Sequence, residues 1–299
     1  AVGAEDGVGP DAHHALPAYD EPMMLRLGVA SVALMIACAE PRRSTVDSGT
    51  APISDGSTPD ATLDPPTPTN CGALDIVFVI DTSTSMEDEI MQISAGMQSI
   101  WNAAIANTPD SQFSLVVFVD SVVAVNGCAP FTSPAALSTE FSSWAQFTQT
   151  NGQPGNTFAE NFDCPENSLD ALYVAATQCP WRPNSTRIVV HATDDTFGAQ
   201  GQLLSEAFSV QHGYAEVLSA LQANQLRLGT FAAPGVGEFC GVDTSPNVGQ
   251  GFHEAYQGQP SLAMATGGQA FNIREVRAGT LNMATAISQL IDTEYCTLY

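Results

Sequence analysis

The apolar positions of this chain change period several times, and each change marks an element. Residues 73–80 are almost continuously apolar, as expected of a strand covered on both faces of a parallel sheet. Residues 86–107 carry Ile90, Ile93, Met97, Ile100, Trp101 and Ile105 at helical spacing, and Thr108-Pro109 ends the run. Residues 113–119 read as a second strand that stops at Asp120. Residues 122–125, closed by Asn126-Gly127, read as its hairpin partner. Helical signals mixed with Ser and Thr follow at 133–148, then a Gly/Asn/Asp-rich loop at 148–164. Residues 165–177 predict a helix with Pro and Glu in its first turn. Residues 187–192 form another apolar run, ending at Thr193-Asp194-Asp195. A helix at 214–223, strands at 226–233 and 270–273, and a closing helix at 281–293 complete the pattern.

Strands alternating with helices predict an α/β fold: a doubly wound, mostly parallel six-stranded sheet with one antiparallel edge strand. Ligands of such sheets bind at the carboxyl ends of the strands. Asp81, Asp120 and Asp194 all fall there.

The first 70 residues differ in kind. Residues 1–22 show no apolar period and read as unstructured or as a mis-assigned start. Met23-Met24-Leu25-Arg26 opens a basic start, an apolar run follows at 27–37, and Met35-Ile36-Ala37-Cys38 closes it. This has the layout of a secretory signal, too short for a membrane span, which takes about 20 residues. Its last four residues resemble a bacterial lipobox, which implies a lipidated Cys38 and a lipoprotein of the cell envelope, at the outer membrane or cell surface. Residues 39–70 are rich in Ser, Thr, Pro and Asp, lack the apolar surface to offset chain entropy, and predict a disordered tether. The folded domain is expected at 71–299. The net charge is −24 and lysine is absent, which argues against nucleic acid or an anionic lipid surface as partner. Contact with a membrane is expected only through the lipid anchor.

The chemistry concentrates at Asp81-Thr82-Ser83-Thr84-Ser85-Met86-Glu87-Asp88-Glu89. A buried strand ending in Asp-x-Ser-x-Ser delivers one carboxylate and two hydroxyls to a single turn. An all-oxygen set of this kind suits a hard cation with room for a further oxygen. Capping of the following helix by the same residues is the bland alternative.

The pattern resembles the metal-ion-dependent adhesion site of von Willebrand factor type A domains, most closely the I-like domain of integrin beta subunits. Phe118-Val119-Asp120, Asn161-Phe162-Asp163-Cys164-Pro165-Glu166 with Asp170-Ala171, and Thr193-Asp194 match further motifs of that family in the same order. The resemblance implies a central site of Asp81, Ser83, Ser85, Glu166 and Asp194. It implies an inner neighbour built from Asp120, Asn161, Asp163, the Pro165 carbonyl and Glu166. An outer neighbour would use Asp88, Glu89, the Ser85 carbonyl and a carbonyl near Glu275. Glu89 departs from the usual Asp there, and the integrin specificity loop is not recognisable between Asp120 and Asn161. Divalent cations are the implied cofactors: Mg2+, with Ca2+ or Mn2+ at the flanking positions. The implied partner is a protein or other ligand that offers a carboxylate, in adhesion rather than catalysis. A hydrolase using metal-bound water and a metal-independent envelope scaffold are the rivals. No histidine is placed as a general base: His191 reads as core, and His212 and His253 as isolated loop residues.

Cysteines other than Cys38 number six, show no CxxC, and in an exported chain predict three disulfides. In a doubly wound sheet the first strand starts where the last helix ends, so Cys71 is expected to meet Cys296. Cys164 and Cys240 follow onto the acidic face, and Cys128 and Cys179 onto the opposite one, giving 164–240 and 128–179.

Overall fold

The computed structural model describes residues 71–162, 164–236 and 247–297. The segments expected to be a signal and a tether, with the expected lipidation site Cys38, and Asp163 and Cys240 lie outside the described residues.

Strand β1 (Ala73–Asp81) is buried at every position. Leu74, Ile76, Phe78 and Ile80 point into one core and Val77 and Val79 into another. Its unbroken apolar run therefore follows from being covered on both faces. Helix α1 (Glu87–Asn107) presents Ile90, Ile93, Met97 and Ile100 to the first core. Strand β2 (Ser111–Phe118) pairs in parallel with β1, and the short β3 (Val122–Ala124) turns back antiparallel along it. Helix α2 (Pro134–Thr148) starts cleanly: the Ser133 hydroxyl accepts from the Ala136 N–H at 3.2 Å, and Pro134 holds the first helical position. The expected loop at 148–164 contains a ribbon, β4 (Gly152–Gln153) against β5 (Asn156–Glu160).

Helix α3 (Ser168–Gln178) begins three residues later than the sequence suggests. Asn167 caps it by accepting from the Asp170 N–H at 3.4 Å, and Glu166 stays outside. The Glu166 N–H donates to the Thr196 carbonyl at 2.8 Å, and its carbonyl accepts from the Gly198 N–H at 3.0 Å. Pro and Glu before a helix suit its first turn equally well, and a distant strand-like pairing decides against it.

Strand β6 (Ser185–Ala192) lies on the other side of β1, in parallel. A second ribbon, β7 (Leu203–Leu204) and β8 (Phe208–Ser209), precedes α4 (Tyr214–Ala223) and β9 (Arg227–Ala232). Then come α5 (Leu262–Ala265), β10 (Gln269–Asn272), α6 (Ile273–Arg277) and α7 (Met283–Glu294). The ribbons, α5 and α6 are too short to show a period, which is why the pattern misses them. The sheet order is β10-β9-β6-β1-β2-β3, parallel except for the β2–β3 pair. This is the doubly wound, six-stranded architecture with one antiparallel edge that the alternation predicts. Core residues of α1, α2 and α7 cover one face, and those of α3 and α4 the other.

At the amino end of the parallel strands, Cys71 and Cys296 are disulfide-bonded across 225 residues, and Cys128 is joined to Cys179. Both pairs are as expected. Cys164 is also disulfide-bonded, and its expected partner, Cys240, falls outside the described residues. Disulfides of this kind belong to an oxidising compartment. Near Cys71, Arg182 donates through Nε to the buried Asp75 at 2.6 Å and through Nη2 to the Leu74 carbonyl at 3.0 Å. It also pairs with Asp110. Among the described residues no helix is long and apolar enough to cross a membrane.

Candidate functional site

Three loops and the residues that follow β6 meet at the carboxyl edge of the sheet. The first leaves β1. Thr82 locks the strand end to β2, its N–H and hydroxyl both donating to the Phe118 carbonyl at 2.8 and 3.0 Å. Asp81, fully buried, then accepts from the Ser83 N–H at Oδ1 (2.8 Å) and from the Thr193 hydroxyl at Oδ2 (2.7 Å). A single 3-10 turn (Thr84–Met86) leads into α1. It sets the Ser83 and Ser85 hydroxyls 3.3 Å apart, with Ser85 donating to Asp194 Oδ1 at 2.9 Å. Asp81, Ser83, Ser85 and Asp194 are thus gathered as the motif implies, by contacts 109 and 112 residues apart in sequence.

The second loop follows β2. Asp120 is buried, and its Oδ2 accepts from Gln153 Nε2 at 2.6 Å, while Gln153 Oε1 takes the Asp120 and Ser121 N–H groups. The third loop carries Asn161 and Glu166. Asn161 Nδ2 donates to Glu166 Oε1 at 2.9 Å, and Asn161 Oδ1 accepts from Ser205 at 3.2 Å. Glu166 is buried, and its Oε2 has no hydrogen-bond partner among the described residues. Phe162, in the same loop, is 71% exposed. Pro165 is partly buried next to Glu166.

Crowded, buried carboxylates resist ionisation. Burial, then the charge of Asp194, pushes Asp81 up to about 7 against the hydrogen bonds from Ser83 and Thr193. Burial and the charges of Asp81, Asp120 and Asp195 hold Glu166 well above the usual carboxylate range. Asp195, raised by burial and by Asp194 and Asp81, reaches about 8. Asp195 belongs to none of the motifs in the sequence, although the Thr-Asp-Asp strand end contains it. Gln153, whose contact with Asp120 spans 33 residues, has no signal in the sequence, and Thr193 enters there only as part of the strand-end motif. Among the described residues no three His, Cys, Asp or Glu side chains are gathered closely enough to hold a metal ion by themselves. The oxygen set here is mixed, with hydroxyls and an amide between the carboxylates.

The outer group departs from expectation. Asp88 is exposed at the start of α1. Glu89 is fully buried, and its Oε1 accepts from Arg277 Nε at 2.6 Å. Arg277 Nη2 reaches the Ser85 carbonyl at 3.0 Å and Asp194 Oδ2 at 2.8 Å. The Glu275 carbonyl is taken by the Thr280 and Leu281 N–H groups, each at 3.0 Å.

The histidines lie elsewhere. His191 is buried, stacked on Phe118 and 2.8 Å from the Thr230 hydroxyl, and burial lowers it to about 3, as a core residue. His212 is not isolated: it stacks on Tyr173 and sits 2.8 Å from Asp170. His253 Nε2 lies 2.8 Å from the Ala232 carbonyl.

The fold and the site together define a doubly wound α/β domain with an acid-rich, oxygen-lined site at its carboxyl edge. No protein-family model matches the chain. It is similar to the alpha-protein kinase vwkA of Dictyostelium discoideum, 27% identical over 123 residues. That match covers 40% of this chain and 18% of the relative, so the chain spans less than a fifth of the relative's length. Among solved structures it is similar to an aerotolerance-related membrane protein from Bacteroides fragilis NCTC 9343 that carries multiple mutations to serines. There the identity is 11%, the TM-score 0.46, and the coverage 74% of this chain and 100% of the other.

Proposed function

We propose that this chain is a von Willebrand factor type A-like module that holds a divalent cation at the carboxyl edge of its sheet and uses it to bind an acidic group of a partner. One observation carries the reading: the buried Glu166 carboxylate leaves Oε2 with no hydrogen-bond partner among the described residues, beside Asp81, Asp120 and Asp195. An unpaired buried anion is costly, and a cluster of them more so. A cation among them removes the cost.

Asp81, Ser83, Ser85, Glu166 and Asp194 would hold that cation, Mg2+ being the favoured ion. Asp120, Asn161 and Glu166, with Asp163 and the Pro165 carbonyl, would hold an inner one, where Ca2+ or Mn2+ also fits oxygen donors. When bound, the cation supplies an open coordination position that attracts a carboxylate. The serine hydroxyls keep its charge undercompensated, and the Asn161 amide and the Thr193 hydroxyl orient the carboxylates around it. The ligand leaves chemically unchanged, which distinguishes the module from a hydrolase.

Calorimetric titration of the full chain with MgCl2 and MnCl2 tests the site. Wild type should take up cation, and Asp81→Ala should lose that uptake while keeping its fold. Wild type that binds neither ion would end the proposal. The sequence pattern at Cys38 also supports a lipid anchor in the cell envelope. Cys38→Ser should move the protein from the membrane fraction to the soluble one, and an unchanged distribution would remove the anchor from the reading.

A further inference from the structure

The outer of the three expected cation positions is filled by the chain. Its oxygens come from three separate segments: the Glu89 carboxylate on α1, the Ser85 carbonyl in the 3-10 turn, and the Asp194 carboxylate after β6. All three converge on one guanidinium, with Arg277 Nε on Glu89 Oε1 at 2.6 Å and Nη2 on Ser85 O at 3.0 Å and on Asp194 Oδ2 at 2.8 Å. Glu89 is fully buried and Asp194 nearly so. We propose that Arg277 is the resident cation of the outer position, so that this site takes no exchangeable divalent ion.

Two physical points favour this. A divalent ion there would need the oxygens that the guanidinium holds, and would sit against a positive charge that does not titrate in proteins. A planar guanidinium also satisfies separate acceptors with fixed donors, whereas a hard cation needs six or more oxygens around it. Asp88, the other acid expected at this position, is exposed rather than turned into the cluster, and the Glu275 carbonyl is engaged by two backbone N–H groups. Glu89 Oε2 has no hydrogen-bond partner among the described residues, but one open oxygen falls short of the six or more that a hard cation gathers.

The arrangement ties α6 to the central site through a chain of hydrogen bonds. Asp194 accepts from Ser85 at Oδ1 and from Arg277 at Oδ2, so a fixed charge stands one carboxylate away from the central position whatever the calcium concentration. The assignment of the occupant rests on the hydrogen bonds alone. Only its relation to the central position rests on the function proposed above.

Equilibrium dialysis with calcium, counting bound ions per full-length chain, tests it. Arg277→Ala opens the Glu89 and Asp194 oxygens and should bind one calcium more than wild type, whereas Arg277→Lys should bind the same number as wild type. The comparison is repeated in an Asp81→Ala background, which removes the central ion but should leave the gain of one ion intact. A failed central site then shows as equal counts in wild type and Asp81→Ala, separately from the Arg277 result. Should Arg277→Ala unfold without calcium, the predicted outcome is recovery of its melting transition as calcium is added, with no such requirement in Arg277→Lys. Equal calcium counts in wild type and a folded Arg277→Ala would overturn the proposal, as would an Arg277→Ala protein that calcium fails to rescue.

Discussion

Neutralising Asp81 should stabilise the protein in the absence of cation and do so only at high pH. The side chain is fully buried, and its oxygens accept one N–H and one hydroxyl. Asparagine has the same shape, keeps the acceptor for Ser83 and can donate to Thr193 once that hydroxyl rotates. The folded carboxyl titrates near 7 rather than 3.8. Between those values the folded chain holds a proton that the unfolded chain has released. Stability from this group is therefore complete below about pH 4 and is lost as pH rises to about 7. At about 1.4 kcal/mol per pK unit, the ionised side chain costs up to about 4 kcal/mol at pH 8, a ceiling because Asp195 shares the titration. At 2–4 °C per kcal/mol for a domain of this size, Asp81→Asn should melt roughly 5–15 °C above wild type in EDTA at pH 8 and level with it at pH 4. His191 works in the opposite sense. Held neutral down to about 3, it contributes stability above about pH 6.5 that is lost on acidification, but it is common to both proteins and cancels in their difference. Magnesium at about a hundred times its dissociation constant should then raise wild type alone by about 2.7 kcal/mol and narrow the gap. Scanning calorimetry across pH 4–8.5, with EDTA and with MgCl2, measures all of this. A difference that does not vary with pH, or an Asp81→Asn protein less stable than wild type at pH 8 in EDTA, would refute the reasoning.

Removing the Cys71–Cys296 bridge by a double serine substitution should lower stability by about 5 kcal/mol in the chain-entropy account, because the closed loop spans 225 residues; urea unfolding checks it, and a loss under about 1 kcal/mol would contradict it. Arg182→Met removes the cation paired with the buried Asp75, which keeps the residue-182 N–H and the Ser185 hydroxyl, and should cost up to about 3–5 kcal/mol, with part recovered by adding Asp75→Asn. Cation binding should be untouched in both variants, since this network lies at the other end of the sheet. Gly96→Ala places a Cβ 2.1 Å from the Ala284 Cβ, so α1 and α7 must part at about 1–3 kcal/mol, and adding Ala284→Gly should restore the melting temperature.

Where an element is long and its burial regular, the chain announces it locally. The apolar run of β1 is continuous because two helical layers cover it, and the period of α1 is clear because one side alone meets the core. Pairing of Cys71 with Cys296 followed from the winding of the sheet. Three strand-end acids were visible for the same reason: a doubly wound topology brings every parallel carboxyl terminus to one edge.

What surrounds those acids was not visible, because it depends on contacts between remote segments. Glu166 belongs to no helix, since its backbone finds Thr196 and Gly198 across the fold. Asp195 differs from Asp194 only in where a turn points it. Arg277 lies 188 residues from Glu89 and 192 from Ser85, and nothing beside it in sequence marks it as a partner for either. The amino-acid sequence by itself placed oxygen donors at the edge of a sheet. Tertiary structure alone decided which of them face a buried, uncompensated charge and which are already answered by a guanidinium, because that balance is set by burial and distance rather than by the residue types along the chain.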